Sequence, residues 1–296
     1  MQFEQITLVG VGLLGGSLGL AVKKRGLAGR VVGLVRRPES VTECGNLGVV
    51  DEATLDPKAA IKDADLIVHC APISQMRALT EKFLPFMKPG AIVTDVGSVK
   101  ECVVDDLERL IAEAGGHFVG SHPMAGGEQT GVAHSREDLF EGATVVVTPT
   151  PDSAAESVAK IDAFWTELRA SILKTTPAEH DRIVAMCSHM PHVAAAAVVA
   201  VVLSDSGGLP SIQQACGSGF RDTTRIASGD PVMWRDIVLE NRENVSAAIG
   251  ELIAKLQGIK SLLDDADLDP GVVEAMLSEA KSSRDDWLTT RSNPID

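Results

Sequence analysis

The chain has 296 residues, 45% of them hydrophobic and 23% charged, and a formal net charge of −14. That length provides for one large or two ordinary domains with a sizeable core. The acidic balance excludes a nucleic-acid surface or an anionic membrane as the main partner, so an anionic ligand has to be met by local cations.

Cys44, Cys70, Cys102, Cys187 and Cys216 form no CxxC pair and are odd in number. A disulfide framework or structural zinc is not expected, and a reducing cytoplasm is. The N-terminus shows no secretory pattern. The apolar run Val193 to Leu203 is too short to span a bilayer and reads as a helix buried in its domain or at a subunit interface.

In chain order, Ile6 to Val9 is a β-rich run followed by Gly10-Val11-Gly12-Leu13-Leu14-Gly15 and a helix. GxGxxG between strand and helix is a dinucleotide-binding turn: Gly10 for the tight bend, Gly12 for approach to a pyrophosphate, Gly15 for close helix–strand packing. The helix N-terminus supplies partial positive charge. Gly10, Gly12, Leu13, Leu14 and Gly15 are thus the expected phosphate cradle. The second strand, Arg30 to Val35, ends without the carboxylate that would accept ribose hydroxyls and runs into Arg36 and Arg37. Guanidiniums there would hold a 2′-phosphate, so NADP is expected over NAD; the alternative is that both are solvated loop residues beside Pro38.

Asp65 to Ala71 is a strand entering a Pro72-Ile73-Ser74 loop, where Ala71 and Pro72 would pass the nicotinamide ribose. Ala91 to Asp95 is the next strand. Ser98 and Lys100 follow it, at the end where such sheets bind ligands, although Lys100 reads equally as a surface helix residue. Helices are expected over Thr80 to Met87 and Val104 to Ala114. Gly120-Ser121-His122-Pro123-Met124-Ala125-Gly126-Gly127 reads as a rigid loop presenting an imidazole, because Pro123 pushes His122 toward an extended conformation. A strand at Val145 to Thr148, a helix at Ala154 to Arg169 and a strand at Ser171 to Lys174 bring this domain to its end near Thr176.

From Thr176 strand signals stop. Thr176, Pro177 and Glu179 read as a capping box and helix start. Ser188, His189 and His192 share a helix face, and Pro191 should kink that helix. The His-x-x-His pair lacks a carboxylate or thiolate to complete a ligand set, so no metal is expected. Arg221 and Arg225, one turn apart if helical, suggest a carboxylate site with Asp222 orienting Arg225; a surface ion pair with Asp222 is the alternative. Asp230-Pro231 starts a helix running to about Gln257, Ser261 to Ala280 reads as one or two more around Pro270, and Ser282 to Asp296 as partly disordered.

Gly10-x-Gly12-x-x-Gly15-Gly16-Ser17, Asp95-Val-Gly-Ser98-Val-Lys100, Gly120-Ser-His122-Pro-Met-Ala-Gly126, Ser188-His189-Met-Pro-His192 and Gly219-Phe-Arg221-Asp222-Thr-Thr-Arg225-Ile-Ala occur in this order. Over nearly the whole chain they resemble the prephenate/arogenate dehydrogenases of tyrosine biosynthesis. The resemblance implies an α/β Rossmann-type domain, residues 1–176, followed by an all-α substrate and dimerisation domain, residues 177–296, acting as a homodimer. It implies oxidative decarboxylation of prephenate and/or arogenate to 4-hydroxyphenylpyruvate and/or tyrosine, with hydride transfer to a nicotinamide dinucleotide. It puts the catalytic histidine on His122, the serine that helps hold the substrate hydroxyl on Ser98, and the substrate-carboxylate arginine on Arg225. The family's second-domain histidine falls on His192, with His189 and Ser188 beside it, and Glu128 falls where an acidic residue can engage that arginine. Two other readings remain. A 3-hydroxyacid or imine dehydrogenase would usually carry a lysine where this chain has Ser188, His189 and His192; a non-catalytic dinucleotide sensor would have no need of Ser98, His122 and Arg225 together.

Overall fold

The computed structural model describes residues 2–127, 129–204 and 210–292. The β-branched run that opens the chain forms β1 (Phe3–Val9), and the glycine turn hands it to α1 (Leu13–Arg25). The alternation continues through β2 (Ala28–Leu34), α2 (Pro38–Asn46), β3 (Glu52–Thr54) and α3 (Pro57–Ile61). It goes on through β4 (Leu66–His69), α4 (Ile73–Phe83), β5 (Ile92–Asp95), α5 (Glu101–Glu113) and β6 (His117–Phe118). These strands form one parallel sheet in the order β3-β2-β1-β4-β5-β6. The order reverses between β1 and β4, whose last residues Val9 and His69 are register partners. Open sheets of this kind bind ligands outside the carboxyl ends of their strands at that switch point.

The sheet is buried on both faces, as parallel sheets are. Ile6, Leu8, Leu66 and Val68 pack into one core, while Val9, Ile67 and Val93 pack into the other. The two-residue alternation along each strand produces that division. Helix α4 starts at Ile73, so the loop expected through Ser74 ends at Pro72. β3, of three residues, is too short to announce itself by periodicity.

A second sheet follows, with β7 (Gly120–Pro123), β8 (Thr144–Thr148), α6 (Ala155–Glu167) and β9 (Ser171–Lys174), ordered β7-β8-β9. The segment expected to be a loop around His122 is therefore a strand. The proline-imposed extended conformation of His122 is itself strand-like, and β7 lies antiparallel to β8 with His122 opposite Val146. Pro123 closes the strand, where its missing N–H costs least. Ser121 joins this sheet to the first. Its N–H donates to Asp95 Oδ1 (3.1 Å) and its hydroxyl donates to the Asp95 carbonyl (2.7 Å). Trp165 of α6, fully buried against Phe140 and Phe164, donates its Nε1–H to the same hydroxyl at 3.2 Å.

The remainder is helical. α7 (Pro177–Val184) is capped by Thr176, whose Oγ1 accepts from the Glu179 N–H at 3.2 Å. The reciprocal half of the capping box is absent, because the Glu179 carboxylate accepts from the Thr175 hydroxyl at 2.6 Å. A π-helical turn at Ala185–His189 leads into α8 (Met190–Val199), and a second π turn at Ala200–Ser204 follows. Pro191 occupies the first turn of α8, where its missing N–H is tolerated, directly after the π turn. The continuous span Pro177–Leu203 has 27 residues, long and apolar enough by length and composition alone to cross a membrane. The shorter run considered in the sequence therefore belongs to a longer helix. Its apolar part is largely uncovered in the single chain, with Val198 and Val201 exposed.

α9 (Pro210–Ala215) and α10 (Ser218–Thr224) lead to a 3₁₀ turn at Arg225–Ser228, then α11 (Pro231–Glu240). Asp230 caps α11, its Oδ1 accepting from the N–H groups of Val232 and Met233, both at 2.9 Å. The single helix expected to Gln257 is interrupted at Asn241, whose side chain is committed to buried partners described below; α12 spans Arg242–Leu263. The polar segment from Ser282, expected to be partly disordered, is helical to Ser292 within α13 (Pro270–Ser292), its polar surface being that of a solvated helix. By compactness the chain divides inside α12, into residues up to Ser246 and from Ala247 onward.

Replacing Trp165 by Ala removes a fully buried ring and the donor to Ser121. The expected cost is about 3–5 kcal/mol, read as a lowered urea midpoint.

Candidate active site

The glycine turn lies at the switch point. Gly10 has φ +91°, and a Cβ there would stand 3.0 Å from the Ala71 nitrogen on the neighbouring loop. A Cβ at Gly15 would meet the Gly10 carbonyl at 2.3 Å, which leaves no room for a side chain between α1 and the turn. Gly12, by contrast, faces open space. It caps α1 with no side-chain hydrogen bond, and the first turn of α1 carries no acidic residue. Uncapped N–H groups at a helix start, with a glycine open in front of them, fit a dinucleotide pyrophosphate. Leu13 and Leu14 follow on the helix, and Ala71 and Pro72 line the adjoining loop. Arg36 and Arg37 are exposed just beyond β2, after the buried Val35.

His122 sits where β7 meets α7. It is 7% exposed, and its Nδ1 is 2.8 Å from His180 Nε2. His180 Nδ1 is in turn 2.7 Å from Asp181 Oδ1. The direction of these bonds follows from the acceptor at the end. An ionised carboxylate can only accept. Asp181 also accepts the N–H groups of Lys100 (2.7 Å) and Glu101 (3.0 Å) at the start of α5. His180 therefore donates from Nδ1 and, when neutral, accepts at Nε2. His122 then donates from Nδ1 and carries its lone pair on Nε2, which has no protein partner among the described residues.

Both imidazoles are held neutral. Burial pushes His122 well below the ordinary histidine value, and His180, Lys100 and His189 add to the effect. Burial also lowers His180, against the opposing pull of Asp181. Behind Asp181 lies a buried ion pair: Lys100 Nζ bonds Asp95 Oδ2, and both side chains are 0% exposed. The alternative of a surface position for Lys100 is thereby removed.

The network extends into the helices. Asn241 Nδ2 donates to the Asp181 carbonyl at 2.7 Å and to His189 Nδ1 at 3.1 Å. Asn244 donates to Asn241 Oδ1 at 2.8 Å, which fixes the amide's orientation. His189, pushed down to about 4 by burial, must then carry its proton on Nε2, and its ring also interacts with the Ser98 backbone. His192 lies flat on Trp234, ring centroids 3.5 Å apart, and its Nδ1 is buried and unpartnered among the described residues. Gly229 makes that stack possible, since a Cβ there would lie 2.4 Å from Trp234 Nε1. Buried polar atoms without partners mark where a ligand or water completes the set.

The structure thus joins His122, His189 and His192 through His180, Asp181, Asn241 and Trp234. Ser98 is half-buried between Gly97, whose N–H donates to Asp95 at 2.8 Å, and the Lys100 segment. Ser188 is half-buried beside His189. Arg225 opens the 3₁₀ turn after α10 and is exposed in the single chain. Arg221 is also exposed, and Asp222, expected to orient Arg225, pairs with Arg221 at 3.5 Å. Arg225 follows α10 directly, in right-handed helical conformation, as the first residue of the 3₁₀ turn. Glu128 lies outside the described residues. His180 and Asp181 were missed in the sequence. Their signal was present, because both precede the buried Val184 and Ala185 at helical spacing, which places two titratable groups on an inward face.

Comparison with known proteins gives one consistent picture. Residues 18–174 match the family model described as prephenate dehydrogenase, nucleotide-binding domain, and residues 176–278 match prephenate dehydrogenase, dimerization domain. The prephenate dehydrogenase of Bacillus subtilis (strain 168) is 32% identical over 267 residues, covering 90% of this chain and 72% of the relative. The crystal structure of a prephenate dehydrogenase from A. aeolicus, in complex with hydroxyphenyl propionate and NAD+, superposes with a TM-score of 0.86 at 31% identity, covering 98% of this chain and 99% of that one. A Synechocystis arogenate dehydrogenase superposes with a TM-score of 0.79 at 29% identity, covering 96% and 99%.

Burial pushes His69 down to about 3 and His189 to about 4, from 6.5. On acidification from pH 7 the unfolded chain takes up protons at these positions before the folded chain does, so stability is full above pH 6.5 and falls below it. Between pH 7 and 5 the expected loss is about 2 kcal/mol for each histidine. Urea midpoints at the two pH values test this, and His69→Gln should lose less than the parent.

Proposed function

The chain belongs to the prephenate dehydrogenase family, and from that premise we propose how its own residues carry the family's reaction. It is an oxidoreductase that oxidatively decarboxylates prephenate and/or arogenate with a nicotinamide cofactor, in tyrosine biosynthesis. The substrate ring carries a hydroxyl para to a carboxylate. The base is His122 through Nε2, and the observation that carries this reading is the His122–His180–Asp181 chain, which leaves a neutral imidazole with its lone pair free. His122 takes the hydroxyl proton as the ring carbon gives up hydride; the electron pair released as carbon dioxide leaves the opposite ring position makes the ring aromatic and returns to that oxygen, which recovers the proton from His122. When bound, the nicotinamide supplies the acceptor for that hydride. His180, held by Asp181, accepts the His122 Nδ1–H and so keeps Nε2 as the atom that takes the proton.

Ser98 orients the hydroxyl, consistent with its place directly after β5. His192 offers the substrate its face of the Trp234 stack, supported by its unpartnered buried Nδ1, and His189 lies beside the site through its interaction with the Ser98 backbone. Arg225 grips the substrate carboxylate, with Arg221, Ser188 and Glu128 as the neighbouring polar groups the family motif places there. Gly10, Gly12, Leu13, Leu14, Gly15, Ala71, Pro72 and Ser98 hold the dinucleotide. The proposed boundary between the nucleotide-binding and helical domains is 176/177; family matches over residues 18–174 and 176–278 support a division in this region. The chain is proposed to act as a homodimer in which a second copy covers the apolar face of α8; the exposed Val198 and Val201 and the match to a dimerization-domain model support this. The five free cysteines accord with a cytoplasmic enzyme.

NADP is the proposed cofactor over NAD. The exposed Arg36 and Arg37 and the absence of a carboxylate after β2 support it. Replacing both arginines by Ala should raise KM for NADP by roughly tenfold or more while KM for NAD holds. A parent enzyme that prefers NAD would overturn the assignment.

His122→Asn should lower kcat with prephenate by about 10²–10⁴-fold and leave the cofactor Kd unchanged. In the parent enzyme a base whose pKa lies well below 6.5 stays unprotonated through mild acid, so the acid limb of kcat/KM is expected below pH 6.5. Arg225→Ala should chiefly raise KM, as loss of a charged ground-state contact does. Near-normal turnover in His122→Asn would remove His122 from the mechanism.

A further inference from the structure

The Lys100–Asp95 pair has no part in the steps above, yet both of its side chains are 0% exposed. A lysine withdrawn this far from water persists only where its charge is matched and its donors are used. Its side chain threads between two glycines. A Cβ at Gly97 would lie 3.3 Å from Lys100 Nζ, and one at Gly120 would lie 3.4 Å from Lys100 Cδ. Gly97 precedes Ser98, and Gly120 stands two residues before His122. Asp95 holds the same two segments, accepting from Gly97 N–H at 2.8 Å and from Ser121 N–H at 3.1 Å. The Lys100 N–H, meanwhile, donates at 2.7 Å to the very Asp181 oxygen that holds His180. The contacts close a ring through Asp95, Ser121, His122, His180, Asp181 and Lys100.

We propose that the buried Lys100–Asp95 pair is the positioning element of the site, fixing the Ser98 and His122 segments against each other and keeping a cation beside the two coupled imidazoles. The proposal rests on His122 being the base. The charged and titratable groups around His122 are His180 and Asp181 from α7, Lys100 and Asp95 from the β5–α5 segment, and His189 from the π turn. β8, which pairs with β7, contributes none. Burial is the larger reason that His122 stays neutral, and the Lys100 cation adds to it at both His122 and His180. Lys100 touches neither substrate nor cofactor in this account and acts through the chain it holds.

The test is the pH dependence of kcat/KM with prephenate and NAD as probes, for the parent, His122→Gln and the double variant Lys100→Met with Asp95→Asn. The double variant removes both charges and so leaves no unpaired buried ion. Lys100 opposes protonation of His122 and Asp95 acts in the opposite sense only on His180, so with both charges gone the acid limb should move up by roughly 0.5–1 pH unit. The far-UV circular dichroism and the Kd for NAD should stay at parent values. A limb that stays put in a folded double variant overturns the proposal. A limb that persists unchanged in His122→Gln overturns the base assignment instead, so the two failures are distinct. Lys100→Arg keeps the charge in a different shape. It should lower kcat with the limb in place, and a full-unit shift in that variant would also count against the proposal.

Discussion

The hydrogen bond from His122 to His180 is the contact on which the rest of the site depends. It joins a strand of the nucleotide-binding half to the first helix of the helical half. At 2.8 Å it is short enough to fix ring orientation, and Asp181 behind it fixes which nitrogen carries each proton. Without that terminal acceptor either tautomer of His122 would serve. With it, Nε2 is left as the basic atom, and chemistry at a substrate hydroxyl becomes possible without any change in the protein's own bonding.

The surrounding fold exists to keep that bond dry and in place. Ser121, one residue before His122, receives bonds from Trp165 and gives them to Asp95, so the strand end cannot slide. Asp181 is held from two sides, by the N–H groups that open α5 and by the helix geometry that places it beside His180. Asn241, at the break between α11 and α12, carries the same order to His189. The overall charge of −14 plays little part here, since the fields that matter come from groups inside the network and act through a low-dielectric interior. A cluster of neutral histidines suits such an interior better than charged ones would, and burial is the leading cause of the lowered values of His122, His180 and His189.

Much of this was legible in the sequence, for identifiable reasons. The first sheet announced itself through alternating apolar runs and a glycine turn, because backbone sterics and parallel-sheet burial leave strong local marks. The helix starts at Thr176 and Asp230 were readable because caps are local. The His122 segment was misread as a loop because glycine and proline signal turns, and the hydrogen bonds to β8 that make it a strand are long-range in sequence. The π turn before Pro191 was not legible, because it leaves no compositional mark of its own. Lys100 was ambiguous because burial of a lysine depends on an aspartate five residues away and two glycines on different segments. His180 and Asp181 carried a helical inward-facing pattern, but their meaning appears only when β7 is placed beside α7.

The most direct measurement is the tautomeric state of His122 at neutral pH, read from the two ring nitrogen shifts in a long-range ¹H–¹⁵N correlation spectrum, with His122→Gln for assignment. The account predicts a neutral ring protonated at Nδ1, with Nε2 showing the shift of an unprotonated nitrogen. A proton on Nε2, or an imidazolium, would contradict it.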